Sequence, residues 1–161
     1  MSTRIGFGYD VHRLAAGKTL MLGGIDIPHD MGAVGHSDAD VLLHAIIDAL
    51  LGALALGDIG THFPDSDPAY KGIASTSMLQ KTIEMLRTQG YEVVNLDSTV
   101  CLQTPKIAPR IPEIRRHIAT VLGVDPSQVS VKATTEEGLG FTGREEGVSA
   151  TAVVLVQQIP G

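Results

Sequence analysis

The sequence predicts an α+β fold in which one mixed β-sheet is covered by helices on one face. Three observations predict it. Strand-like stretches at 4–10, 91–103, 128–134 and 147–159 alternate with three helical patterns, the element order of a layered sandwich. One of those helices, Val41 to Leu56, is apolar on nearly every side and needs cover all round. The last strand carries the small residues Ala150, Thr151 and Ala152, and helices on one face leave the other sheet face open. Burial between subunits of a closed homo-oligomer answers both demands.

In chain order, Arg4 to Asp10 reads as the first strand, and Lys18 to Pro28 as two short extended pieces broken at Gly23-Gly24. Ser37 with Asp40 forms a capping box that starts the apolar helix at about Asp38. Asp40, His44 and Asp48 then fall on one stripe of it. Asp58 to Ala74 has no period and two prolines, and is long enough for a lid; its Asp65-Ser66-Asp67 is better explained as turn chemistry than as a calcium loop. Ser77 with Gln80 caps a structural helix carrying Leu79, Ile83 and Leu86 and ending at Gly90.

Tyr91 to Gln103 alternates, with Val94, Leu96, Val100 and Leu102 on the buried face. A third helix accepts Pro112 in its first turn, turns Ile114, Ile118, Val121 and Leu122 inward and closes at Gly123, leaving Arg110, Arg115 and Arg116 as its solvated face. Gln128 to Thr134 and Gly147 to about Ile159 are the remaining strands. Between them Thr134 to Arg144 combines hydroxyls, carboxylates and three glycines. That mixture suits either a plain flexible hairpin or a loop whose amides, hydroxyls and carboxylates meet a phosphate and a hard cation.

Composition narrows the function. A chain of 161 residues with 43% hydrophobic content suits a single domain over 1–161, of a size that buries about 70% of the surface its unfolded form exposes. The net charge of -6 with scattered lysines and arginines argues against a nucleic-acid surface. An acidic protein that binds a polyphosphate needs a metal to hold it. No apolar run reaches the about 20 residues of a membrane span. One cysteine, Cys101, in an alternating strand-like run, and no apolar block after Met1 fit a reducing cytoplasm.

The chemistry gathers at three places. Asp10 and His12 are two apart, so in extended chain both point one way, about 6.6 Å apart. With His44 brought beside them they make a three-ligand set that suits zinc with an open fourth position. A hydrogen-bonded histidine and a solvated helix edge are the plain alternatives for His44, Asp40 and Asp48. His36 and Ser37 stand at a helix N-terminus able to receive a phosphate, Ser37 otherwise being only a cap.

Together these residues carry a resemblance. Gly8-Tyr9-Asp10-Val11-His12, His36-Ser37-Asp38-Ala39-Asp40-Val41 with His44-Ala45, Gly57-Asp58-Ile59-Gly60, Phe63-Pro64-Asp65, Lys132-Ala133-Thr134-Thr135 and Gly140-Phe141-Thr142-Gly143-Arg144 resemble the 2-C-methyl-D-erythritol 2,4-cyclodiphosphate synthase family over nearly the whole chain. The resemblance implies a homotrimer assembled through its sheets, with active sites shared between neighbouring subunits. It implies a phosphorus-oxygen lyase of the non-mevalonate isoprenoid pathway. The implied substrate is the cytidine diphosphate compound 4-diphosphocytidyl-2-C-methyl-D-erythritol 2-phosphate, and the products are the cyclodiphosphate and CMP.

It further implies Zn2+ on Asp10, His12 and His44, and Mg2+ or Mn2+ on Glu137 with the substrate diphosphate. His36 and Ser37 orient the attacking 2-phosphate, Asp58, Gly60 and Asp65 hold the erythritol hydroxyls, and Thr135 donates to the nucleotide phosphates. Pro105, Lys106, Ala133 and Thr134 match the cytidine side, with Phe141 and Arg144 further along the same segment. Arg144 and Phe7 also match positions lining a trimer cavity able to hold an isoprenoid diphosphate, trimer packing being their plainer role. The chain departs from the family pattern at Glu136, where relatives commonly carry neutral Thr or Asn; Glu137 keeps the four-residue spacing to Phe141. Two rival functions predict different outcomes: a zinc-dependent phosphohydrolase that gives an open-chain product, and a non-enzymatic trimeric isoprenoid-diphosphate binder whose structural zinc has four protein ligands.

Overall fold

The computed structural model describes residues 2–161. Its elements are β1 (Thr3–Ala16), β2 (Leu20–Leu22), β3 (Ile25–Ile27), β4 (Met31–Val34), α1 (Val41–Ala53), α2 (Ile59–His62), α3 (Ser75–Thr88), β5 (Tyr91–Cys101), α4 (Ile111–Leu122), β6 (Val129–Thr134), α5 (Gly140–Gly143) and β7 (Gly147–Gln158). Five strands form one sheet in the order β4-β1-β7-β5-β6, and β2 with β3 makes a separate ribbon. All pairs in the large sheet are antiparallel except β5 with β6, whose parallel pairing needs a crossover that α4 provides. The mixed α+β reading therefore holds.

The core lies between the sheet and α1, α3 and α4. Val148, Ala150, Ala152, Val154 and Val156 of β7 are all at most 1% exposed beneath the helices. Eleven residues of α1 are buried, because the sheet covers one side of it and α3 another. This corrects the sequence argument for burial between subunits: Ala150, Ala152 and the all-round apolar helix are covered inside their own chain. The face left open is the reverse of the sheet, where Ile5, Phe7, Tyr9 and Val11 of β1 stand exposed beside Val153 and Leu155 of β7, with Ile5 paired to Leu155 and Phe7 to Val153.

Several local expectations change. β1 runs on to Ala16, so Asp10 and His12 lie within a strand and not at its end. The N-cap of α1 is Asp40, which accepts from the Leu43 amide; the helix begins at Val41 and not at Asp38, and Ser37 forms no capping box with Asp40. α3 starts at Ser75, two residues before the Ser77-Gln80 box; its N-cap residue Ala74 has no capping side chain, and the Ser75 amide donates to Asp38 Oδ2 instead. A bulge between Val93 and Asn95 moves the inward phase of β5 by one, so Val93 is buried where alternation picks Val94. Arg115 is not solvated with Arg116, since its guanidinium donates to the carbonyls of Val129 and Pro126. The 134–144 connector is no plain hairpin; it contains α5, and α2 interrupts the lid-like loop.

Candidate active site and metal centre

Two glycines set the distance between strand and helix. A Cβ on Gly8 would stand 1.9 Å from the carbonyl oxygen of Ala45, and one on Gly6 would stand 1.8 Å from that of Ala49. Only glycine lets α1 lie this close on β1. The next inward residue of β1 after Gly8 is Asp10, and the residue before Ala45 is His44, so the close approach delivers His44 to Asp10 and His12.

The three side chains meet. Asp10 Oδ2 lies 2.9 Å from His12 Nε2 and 3.2 Å from His44 Nδ1, and the two nitrogens are 3.2 Å apart. The outer nitrogens assign the tautomers. His12 Nδ1 donates to the Val34 carbonyl at 3.1 Å, and His44 Nε2 donates to Ser75 Oγ at 2.8 Å. Both ring hydrogens therefore point away from the cluster and three lone pairs converge, an arrangement that a cation relieves. Tetrahedral zinc with bonds of about 2.0–2.1 Å needs its donors about 3.3 Å apart. The observed spacing fits three corners of that shell, and among the described residues no fourth His, Cys, Asp or Glu joins the three.

With protons in place of a cation, the same three groups stabilise one another. Burial raises the Asp10 pKa, but hydrogen bonds and charge from His12 and His44 outweigh it and hold the carboxyl at about 2 instead of 3.8. Burial lowers the His12 pKa, and the hydrogen bond and charge of Asp10, with the Val34 carbonyl, reverse this and raise it above 6.5. Asp40 is wholly buried, and that burial raises its pKa although the amides of Leu43, Gly24 and Gly23 all donate to it. Its carboxylate thus occupies the N-terminus of α1, which is not an open phosphate site; the sequence argument that put His36 and Ser37 at a free helix end is corrected on that point.

The cluster opens into a cavity of about 470 Å³ whose walls include His36, Ser37, Ile59, Gly60, Phe63 and Asp65. Ser37 Oγ is 3.1 Å from His44 Nε2, and His36 reaches the Asp67 carbonyl at 3.4 Å. Asp48 accepts from the Ile59 amide at 3.1 Å, tying the 58–62 turn to α1. Asp58 is exposed at the start of α2, where its Oδ1 accepts from the amide and hydroxyl of Thr61 at 2.9 and 2.7 Å; it adjoins the cavity wall without forming it.

A second group of expected residues gathers elsewhere. Pairing of Val100 with Ala133 and Cys101 with Thr134 brings Pro105 and Lys106 against Ala133, Thr134 and Thr135 around a cleft of about 200 Å³. Thr135 and Glu137 are exposed beside it, with the Glu137 amide donating to Thr135 Oγ1 at 3.2 Å. The Glu136 carboxylate accepts from the Thr142 hydroxyl and is turned toward α5, which separates its role from that of Glu137. Phe141 is partly exposed on α5, and Arg144 pairs with Glu146.

One chain does not bring these two groups together. Val11, Ser149, Cys101 and Thr134 lie in one row across β1, β7, β5 and β6. Three strand spacings put the metal ligands and the cleft about 14 Å apart. Sequence reasoning missed Ser75, which bonds His44 from outside the cluster, and Asp38, which holds Ser75; they lie in segments with no motif linking them, and Asp38 reads from sequence as a helix cap.

A family model described as the YgbB family matches residues 3–157. The 2-C-methyl-D-erythritol 2,4-cyclodiphosphate synthase of Geobacter sulfurreducens is 61% identical over 155 residues, covering 96% of this chain and 99% of the relative. A Plasmodium falciparum IspF solved as a CDP complex superposes with a TM-score of 0.87 at 36% identity, covering 99% of this chain and 98% of that one. The bifunctional IspDF of Campylobacter jejuni gives a TM-score of 0.94 at 39% identity; the match covers 98% of this chain but only 43% of that longer one. No helix of the described residues is long and apolar enough to cross a membrane. The family match over residues 3–157, with identity at this level over almost the full length of both sequences, means that the chain belongs to the YgbB family, that of the 2-C-methyl-D-erythritol 2,4-cyclodiphosphate synthases.

Proposed function

We infer that the chain is a phosphorus-oxygen lyase that converts 4-diphosphocytidyl-2-C-methyl-D-erythritol 2-phosphate to 2-C-methyl-D-erythritol 2,4-cyclodiphosphate and CMP. The observation that carries this reading is the convergence of Asp10, His12 and His44 on one open position at the mouth of a cavity lined by His36, Ser37, Gly60 and Asp65. The substrate's own 2-phosphate attacks the β-phosphorus, an oxygen-phosphorus bond forms, and the bond to CMP breaks with its electron pair leaving on CMP. Nucleophile and leaving group are already phosphates, so the protein supplies position and charge, not a side-chain nucleophile.

Asp10, His12 and His44 are the ligands for Zn2+, and Glu137 for Mg2+ or Mn2+; bound there, the ions supply Lewis acidity and charge neutralisation at the diphosphate. His36 and Ser37 donate to the 2-phosphate and aim it. Asp58, the Gly60 backbone and Asp65 hold the erythritol hydroxyls. Pro105, Lys106, Ala133 and Thr134 receive the cytidine, Thr135 donates to its phosphates, and Phe141 and Arg144 flank that end.

The about 14 Å between the metal ligands and the cleft within one chain supports sites completed by a neighbour. The exposed apolar strip of Ile5, Phe7, Tyr9, Val11, Val153 and Leu155 supports sheet-to-sheet assembly of a homotrimer. The reading includes one domain over 1–161, a cytoplasmic location in keeping with the lone free Cys101, and a central cavity near Phe7 and Arg144 open to an isoprenoid diphosphate.

Phosphorus NMR of the protein with the cytidyl substrate, magnesium and zinc tests it. The expected result is a pair of coupled diphosphate resonances from a cyclic product, with one CMP released per turnover. Open-chain diphosphate carrying solvent oxygen would make the chain a phosphohydrolase, and absence of turnover with metal bound would make it a binding protein.

A further inference from the structure

The hydrogen bonds behind His44 carry an inference that rests on the zinc reading. His44 turns Nδ1 toward Asp10 and His12, so a metal held by all three requires its ring hydrogen to sit on Nε2. Two hydroxyls stand at Nε2: Ser75 Oγ at 2.8 Å and Ser37 Oγ at 3.1 Å. They differ in what they can enforce. The Ser37 hydroxyl accepts from the Ala39 amide, and its hydrogen is uncommitted within the chain, so it can face a ring nitrogen as donor or as acceptor. Ser75 is completely buried, and its hydroxyl hydrogen is given to Asp38 Oδ1. The other oxygen of Asp38 accepts the Ser75 amide at 3.0 Å, so the carboxylate grips the serine at two points. With its only hydrogen spoken for, Ser75 Oγ can meet His44 only as an acceptor.

We propose that Ser75, oriented by Asp38, is a positioning residue for the metal centre: the chain His44 Nε2–H to Ser75 Oγ–H to Asp38 locks the histidine tautomer and ring plane so that the Nδ1 lone pair faces Asp10 and His12. Neither residue touches substrate or metal. Outer hydrogen bonds of this kind make a ligand more basic and orient it, and their loss costs about 10- to 100-fold in metal affinity. A serine that merely opens α3 would leave metal affinity untouched.

The test compares wild type, Ser75→Ala, Asp38→Asn and Ser37→Ala by zinc competition against a chromophoric chelator, and reads the His44 tautomer in metal-free protein by nitrogen NMR. Wild type should show the Nε2–H form alone. Ser75→Ala should weaken zinc by about 10- to 100-fold and admit the Nδ1–H form, and Asp38→Asn should fall between, because an amide oxygen still accepts the serine hydrogen. Ser37→Ala should hold zinc within about threefold of wild type, well short of that range. If wild type takes up no zinc, the metal reading itself fails. If wild type binds zinc and Ser75→Ala binds it equally with the tautomer unchanged, the zinc reading stands and this inference falls. Should Ser75→Ala not fold, the wild-type spectrum decides: a His44 carrying its hydrogen on Nδ1 overturns the proposal.

Discussion

The metal cluster and the Lys106–Thr135 cleft are built in opposite ways within one chain. Asp10, His12 and His44 come from a strand and a helix held in contact by Gly6 and Gly8, and their donor atoms already stand 2.9–3.2 Å apart. The cleft is formed by loop and strand-end residues, and Thr134, Thr135, Glu136 and Glu137 are all exposed. The first region is assembled by folding; the second is left as an open edge of the chain. The difference teaches where each part of the proposed chemistry would reside: the Asp-His-His cluster is complete within the single chain, whereas the proposed reading leaves substrate capture to the assembly.

The sharpest way to break this comparison removes one region at a time. His44→Ala should lower turnover by about a thousandfold or more, with the oligomeric state by light scattering unchanged, because α1 is buried in its own chain and the outer sheet strip is untouched. Lys106→Ala should damage only the cleft. Refolded together in equal amounts, the two inactive proteins should recover about one quarter of wild-type activity, since one neighbour pair in four joins an intact metal cluster to an intact cleft. No recovery on mixing would place both regions of a working site in one chain.

A smaller effect separates the cluster by its protons. The His12 pKa is raised above 6.5, so protons begin to compete for its Nε2 lone pair above that pH, while Asp10, at about 2, stays ionised throughout. Zinc affinity should therefore decline as pH falls from above 6.5, by up to about tenfold per unit for one competing proton, in a chelator titration from about pH 8 down to about pH 3.5. A decline beginning only near pH 4 would assign the competition to a carboxylate and remove His12 from the ligand set.

The smallest effect concerns the adjacent carboxylates. Glu136 is engaged by Thr142, so Glu136→Gln should change the magnesium concentration needed for half-maximal rate by no more than about threefold, whereas Glu137→Gln should raise it about tenfold or more. Equal effects would make the two residues a joint cation site.

Much of the site is legible in the residues. The two-residue spacing of Asp10 and His12 puts both on one face of an extended chain wherever that strand goes, and the apolar run after Asp40 is a helix in almost any context. What was not legible depends on partners distant in sequence. Ser75 reaches His44 across 31 residues and Asp38 across 37, with nothing in either segment to announce it. The bulge at Val93–Asn95 changes which residues of β5 face the core, and local alternation cannot register an inserted residue.

The sequence by itself determined the family, the α+β order of elements and the three metal-ligand types, because periodicity and short spacings are local properties of the chain. The tertiary structure decided which face of the sheet stays open, that Asp40 is an internal cap and not an exposed edge, and that two hydrogen bonds through the buried Ser75 stand behind His44. Those outcomes depend on packing: a carboxylate or hydroxyl is buried only where the fold brings donors and acceptors to meet it, and no residue carries that information alone.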